Sequence, residues 1–225
     1  MDGGGGPDSL EGEVLPSPPQ PDPSRPGLFS AGGRTYTRSP QGLWRGFSPN
    51  RSKLASYLKA GGTVWPLRPT SHVLYLGAAA GTTASHVADC CPQGQVVAVE
   101  KAERPLRELL ALGRARANVV PVHADASQPE RYAALVGPVD VLYQDVAAPD
   151  QGAIALANMS RFCTPSSVVM IMVKARSIDA AAVPADVVQG VLRSLRGAAE
   201  VLDRRELAPF ARDHAALVLQ PSGPR

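Results

Sequence analysis

VLYLGAAAGTTASHVAD, residues 73–89, decides the fold. Val73-Leu74-Tyr75-Leu76 is apolar at every position, the pattern of a strand buried on both faces, and residues 82 to 91 read as a helix. Between them stand only small residues, Gly77 to Gly81. Small side chains let the backbone approach a ligand, and the helix N-terminus offers amide donors to a carboxylate or phosphate. Only two glycines are present, so the full G-x-G-x-x-G pattern is not met. Turns in any α/β protein favour Gly and Ala, so the loop alone leaves a ligand role and a structural role both open.

The same alternation continues downstream. Val96 to Val99, Val119 to His123, Val139 to Tyr143 and Val168 to Val173 are further strand-like runs. Helix-length segments separate them at 104–117, 129–136, 151–163 and 185–198. Strands this apolar, spaced by helices, form a parallel sheet covered on both faces, so the class is α/β. The C-terminal end breaks the rhythm, because Leu202 to Leu207 and Ala215 to Leu219 are joined by a segment too short for a crossover helix. Such neighbours pair antiparallel. The expectation is a Rossmann-like sheet of seven strands, mostly parallel, with an antiparallel C-terminal pair, an ending typical of the methyltransferase variant, whereas a plain dinucleotide domain carries only parallel crossovers.

Upstream, residues 1–33 hold 15 Gly and Pro and a net charge of −4, which predicts a disordered acidic tail. The folded domain is then 34–225, split into a short extension at 34–70 and the Rossmann-like core at 71–225. In the extension Ser48 is the predicted N-cap of a helix with Pro49 at N1, ending near Ala60 before Gly61 and Gly62. Outside the tail the net charge is +7, which permits an anionic partner such as RNA without demonstrating one.

Unbroken apolar runs are shorter than ten residues, so no membrane span is expected, and the N-terminus lacks the charge and apolar run of a secretory signal. Three cysteines, Cys90, Cys91 and Cys163, fit a reduced chain without disulfides. No His, Cys or carboxylate cluster has metal-ligand spacing, so no metal is expected. His86, inside the helix, is predicted to pack or to hydrogen-bond locally.

Candidate site residues gather at the carboxyl ends of the predicted strands, where ligands of open α/β sheets bind. Glu100 ends the second strand, where a carboxylate can accept both ribose hydroxyls of a nucleoside. Asp125 ends the third; it suits an adenine contact or a helix N-cap equally. Asp145 ends the fourth. Lys174 follows six apolar residues of the fifth, a costly place for a charge unless it reaches a crevice or a partner.

LWRGFSPNRSKLASYL (43–58), the loop segment 73–89, VVAVE (96–100), VDVLYQDVAAPDQ (139–151), VKARSID (173–179) and PFARDHAALVL (209–219) together resemble, in order, the fibrillarin family. That family comprises S-adenosylmethionine-dependent RNA ribose 2′-O-methyltransferases acting on rRNA, with tRNA a further substrate. The resemblance implies a cofactor site of Gly77, Ala79, Gly81, Thr82, Thr83, Glu100, Lys101, Asp125, Ala126, Asp145 and Gln151, with Gln151 beside the methionine end. It implies a catalytic set of Lys53, Asp145, Lys174 and His214. In-line methyl transfer to a hydroxyl needs alignment and removal of a proton from a weak acid. Lys174 serves as base only when neutral, a form that a neighbouring Lys53 favours and Asp145 opposes.

The resemblance also implies partners: substrate RNA, a box C/D guide RNA, a coiled-coil scaffold protein and a kink-turn-binding protein. A stand-alone RNA or protein-glutamine methyltransferase and a non-catalytic subunit of an RNA particle are the alternatives. The location implied is the cytoplasm of a prokaryotic cell, or the nucleolus of a eukaryotic one. The Gly-Arg-rich N-terminus usual in the family's eukaryotic members is replaced here by the Pro-rich acidic stretch, and the short, weak match before Trp44 puts an extra N-terminal hairpin surface in doubt.

Overall fold

In the computed structural model, which describes residues 12–223, the strand of the opening motif is β5 (His72–Leu76), an interior strand of a seven-stranded sheet. Four short strands precede it: β1 (Gln20–Pro21), β2 (Phe29–Ala31), β3 (Arg34–Arg38) and β4 (Trp44–Gly46). The others of the large sheet are β6 (Gln95–Glu100), β7 (Val119–His123), β8 (Val139–Gln144), β9 (Cys163–Lys174), β10 (Ala199–Glu206) and β11 (His214–Pro221). Their spatial order is β10-β11-β9-β8-β5-β6-β7. Pairs among β5 to β9 are parallel, whereas β11 is antiparallel to both β9 and β10. The α/β expectation with seven strands holds.

Alternation along the central strands builds two cores. Val73 and Tyr75 of β5 face one cluster, and Leu74 and Leu76 face the other; Met170 and Met172 of β9 likewise oppose Val169, Ile171 and Val173. The first cluster is closed by α1 (Lys53–Lys59), α2 (Thr82–Cys90) and α3 (Glu103–Ala115). The second is closed by α4 (Gln151–Phe162) and α6 (Pro184–Ser194), while the single turn α5 (Ala175–Ile178) caps β9. The helix α3 shows the logic, burying Leu106, Leu109 and Leu112 while its charged residues face out. Each fully buried aliphatic side chain contributes roughly 1.5–3 kcal/mol, so the three-layer core dominates stability.

Three expectations are corrected. First, the stretch before residue 34 is not all tail: β1 to β4 form a separate antiparallel sheet, and Leu28 is buried. Gly32 and Gly33, at φ +55° and +73°, make the two-residue hairpin turn between Ala31 and Arg34, a conformation that favours glycine at both positions. The edge-to-face pair Phe29–Trp44, with centroids 4.9 Å apart, packs across that sheet. The part of the tail reading that covers residues 1–11 lies outside the described residues. Second, Ser48 does not cap α1. Residues 48–52 form a turn and the helix begins at Lys53, because the Ser52 hydroxyl accepts the Ala55 N–H at 3.3 Å. Third, 129–136 is two 3-10 turns, Pro129–Arg131 and Ala133–Leu135. The break falls at Tyr132, whose φ of −124° lets its buried hydroxyl reach Asn158 Oδ1 at 2.6 Å.

Candidate functional site

The carboxyl ends of β5, β6, β8 and β9 open on one crevice. Gly77 and Gly81 shape its floor. A Cβ on Gly77 would sit 2.6 Å from the Asp145 carbonyl, so glycine lets the loop lie against the end of β8. A Cβ on Gly81 would sit 2.6 Å from Leu112 Cδ2, so glycine lets α2 close on α3. Both have positive φ, as does Ala79 at +48°. The strained Ala79 is held by its own N–H, which donates to Glu100 Oε2 at 2.8 Å. Gly81 is the N-cap of α2 and has no side-chain oxygen to offer, so the first amides of that helix lack a side-chain cap.

Glu100 is nearly buried, at 9% exposure, and its other oxygen accepts the Ala102 N–H at 2.7 Å. A carboxylate has about four acceptor positions. Two are used by backbone, and those remaining suit a ribose diol. Asp125 is split in the same way. Its Oδ1 accepts the Ser127 N–H and hydroxyl, both at 2.9 Å, and Oδ2 lies 3.5 Å from the exposed Lys101 ammonium. Those contacts, the Ser127 N–H foremost, hold the carboxyl below its ordinary range. Local capping and ligand contact are therefore compatible in one residue.

A part that sequence reading missed holds this corner. Asn158 of α4 is fully buried; its Nδ2 donates to the Ala126 carbonyl at 2.9 Å, and Tyr132 donates to its Oδ1. A polar residue on the inner face of a helix that otherwise buries Ile154, Ala155, Met159 and Phe162 was the available signal.

On the other side of the crevice Lys53, the first residue of α1, reaches Asp145 at 2.8 Å in a partly buried pair. Lys174 and His214 stand opposite each other across β9 and β11. His214 Nδ1 lies 2.6 Å from the Arg212 carbonyl. A carbonyl only accepts, so Nδ1 carries the proton and, on a neutral ring, Nε2 keeps a lone pair. Burial foremost, with the positive Lys53 and Lys174, pushes this imidazole below its ordinary value against the pull of the Arg212 carbonyl and Asp145. All four residues of the expected catalytic set thus share one neighbourhood.

Two expected cofactor residues are otherwise engaged. The Thr83 hydroxyl donates to Ser52 Oγ at 3.0 Å, tying α2 to the start of α1, while Thr82 stays accessible. Gln151 is 1% exposed and both ends of its carboxamide bond to backbone. No thiol competes for a chemical role: burial pushes Cys91 and Cys163 up to about 12, and Cys90 well above its ordinary value. Among the described residues no group of three or more His, Cys, Asp or Glu side chains is placed to hold a metal ion.

Sheet order, reversed β11 and a ribose-suited carboxylate beside a Gly-Ala loop define the Rossmann-like methyltransferase class. Within it the chain belongs to the fibrillarin family, whose model matches residues 32–222. A fibrillarin-like rRNA/tRNA 2′-O-methyltransferase of Methanoculleus marisnigri is 47% identical over 175 residues, 78% of this chain and 86% of that one. Aeropyrum pernix fibrillarin, solved with natively bound S-adenosyl-L-methionine, superposes with a TM-score of 0.81 at 34% identity, covering 92% of this chain and 99% of that one. A fibrillarin solved in complex with Nop5p gives 0.83 at 38% identity, over 87% and 98%.

Proposed function

We propose that the chain transfers a methyl group from S-adenosylmethionine to ribose 2′-hydroxyls of rRNA and tRNA, directed by a box C/D guide RNA. The observation that carries this reading is the convergence of Lys53, Asp145, Lys174 and His214 at the crevice that also holds the ribose-suited Glu100. The donor set fits the cofactor: Glu100 for the ribose, Asp125 and Ala126 for the adenine, and the open amides and Thr82 at the start of α2 for the methionyl end. When bound, the cofactor supplies an electrophilic methyl on a sulfonium.

The chain's own residues do the rest. Asp145, held by Lys53, orients the attacking hydroxyl. Lys174 takes its proton, and His214, with a free Nε2, passes it to solvent. The known likeness to a Nop5p-bound fibrillarin supports a dedicated protein partner, which on the family resemblance is the coiled-coil scaffold; the kink-turn-binding protein and the guide complete the particle. The described residues form the methyltransferase fold and a small antiparallel sheet, with no separate RNA-recognition module among them, so the purified chain should bind cofactor and methylate naked RNA poorly.

The experiment is a transcriptome-wide map of ribose methylation in the source cell, comparing the intact gene with Lys174→Ala at equal expression. Loss at many scattered rRNA sites is expected. Loss at one site, or at none, would replace this reading with a stand-alone enzyme or a structural subunit.

A further inference from the structure

Strand β9 outruns its neighbour. The last parallel pair between β8 and β9 joins Gln144 to Ile171, so the chain from Met172 to Lys174 has no β8 residue beside it. On the other side Lys174 is opposite His214 of β11, and Ala175 donates to the Asp213 carbonyl at 3.1 Å. The backbone N–H and C=O of Lys174 face the gap that β8 leaves. The Gln151 carboxamide fills that gap: its Oε1 accepts the Lys174 N–H at 3.1 Å, and its Nε2 donates to the Lys174 carbonyl at 3.3 Å. A primary carboxamide carries the same donor and acceptor as a peptide group, so Gln151 acts as a one-residue substitute for the missing strand.

The substitute is itself fixed. Its second amide hydrogen goes to the Ala148 carbonyl at 3.1 Å, and its own carbonyl accepts from the buried Gln144 at 2.8 Å. Both amide hydrogens are committed inside a buried site, which leaves none to donate to the methionyl end of a cofactor. We infer that Gln151 is a positioning residue for Lys174, splinting the backbone from which that side chain enters the crevice. The inference rests on the reading of Lys174 as the proton acceptor, and it replaces the cofactor-binding role that the family resemblance implied for Gln151.

The test is a double-substitution cycle of Gln151→Met and Lys174→Ala in the full chain. S-adenosylhomocysteine affinity is read by calorimetry, the Lys174 amide by NMR-detected hydrogen exchange, and kcat at saturating cofactor in the assembled RNA particle. Gln151→Met should leave the Kd within about threefold, speed exchange at Lys174 at least tenfold while Tyr75 and Ala98 amides are unchanged, and lower kcat about 10- to 100-fold. On the Lys174→Ala background it should lower kcat no further. A Kd raised tenfold with kcat preserved would make Gln151 a cofactor ligand, and losses that multiply in the double variant would show that it does not act through Lys174. Full activity of Lys174→Ala alone is a separate result, and it overturns the base assignment together with the inference. If Gln151→Met does not fold, Gln151→Glu, which keeps the acceptor for the Lys174 N–H and loses the donor to the Lys174 carbonyl, carries the Kd and kcat arms of the cycle, with the same outcomes expected.

Discussion

Glu100 shows how much one side chain does in this crevice. Its oxygens hold the Ala79 and Ala102 amides, so the carboxylate pins a strained loop residue and keeps acceptor positions of the kind a ribose diol suits. Glu100→Ala is expected to weaken S-adenosylhomocysteine binding at least tenfold, about 1.4 kcal/mol, in a calorimetric titration. Unchanged affinity would remove Glu100 from the cofactor site. This residue was legible because its place at the end of the second strand of a βαβ unit is fixed by topology. Asp145 and Lys174 were legible for the same reason. Gln151 was not, because the strand gap that it fills exists only after β8 and β9 have paired in their particular register. Thr83 entered the cofactor set through the family resemblance, and only the approach of α1 gives its hydroxyl the Ser52 partner that it has here.

At the scale of elements, the small sheet is joined to α2 by charge. Arg45 of β4 and Arg116 at the end of α3 both pair with Asp89 of α2, all three buried. Thr37 of β3 donates to Asp89 at 2.8 Å, so its oxygen can only accept from His86, 2.7 Å away. His86 therefore carries a proton on Nδ1. Burial first, then the charges of Arg45, Arg116 and Arg51, pushes this imidazole well below its ordinary 6.5. The unfolded chain takes up a proton near pH 6.5 and the folded chain does not, so stability contributed by neutral His86 is complete above that pH. It is lost as pH falls, at up to about 1.4 kcal/mol per pH unit. Denaturant titrations from pH 7.5 to 5 should show the decline, and His86→Asn should flatten it. A slope unchanged by that substitution would place the acid sensitivity elsewhere. The separate residues gave no hint of this cluster, since arginine and aspartate that far apart in sequence are ordinarily solvated.

For the whole molecule, the small sheet moves the start of the folded unit upstream of residue 34. Removing residues 1–33 takes away β1, β2 and the buried Leu28, and leaves one edge of β3 unpaired. The expected loss is roughly 2–3 kcal/mol, a drop of about 5 to 10 °C in Tm by calorimetry, with cofactor affinity retained because the crevice is built from elements downstream of residue 34. An unchanged Tm would mean that the small sheet contributes nothing to stability. Alternating apolar strands and helices, read from the amino acids alone, determined the α/β class, the strand ends and the residues gathered there, because period and topology are local and bind each residue to a face. Tertiary structure alone decided that Gly32-Gly33 turns a hairpin, that Asp89 gathers two arginines, and that a glutamine takes the place of a strand. The arginine cluster and the glutamine splint depend on segments far apart in sequence that meet only when the apolar faces are buried and every buried polar group must find a partner, while the hairpin is local and gains its support from β4 pairing beside β3.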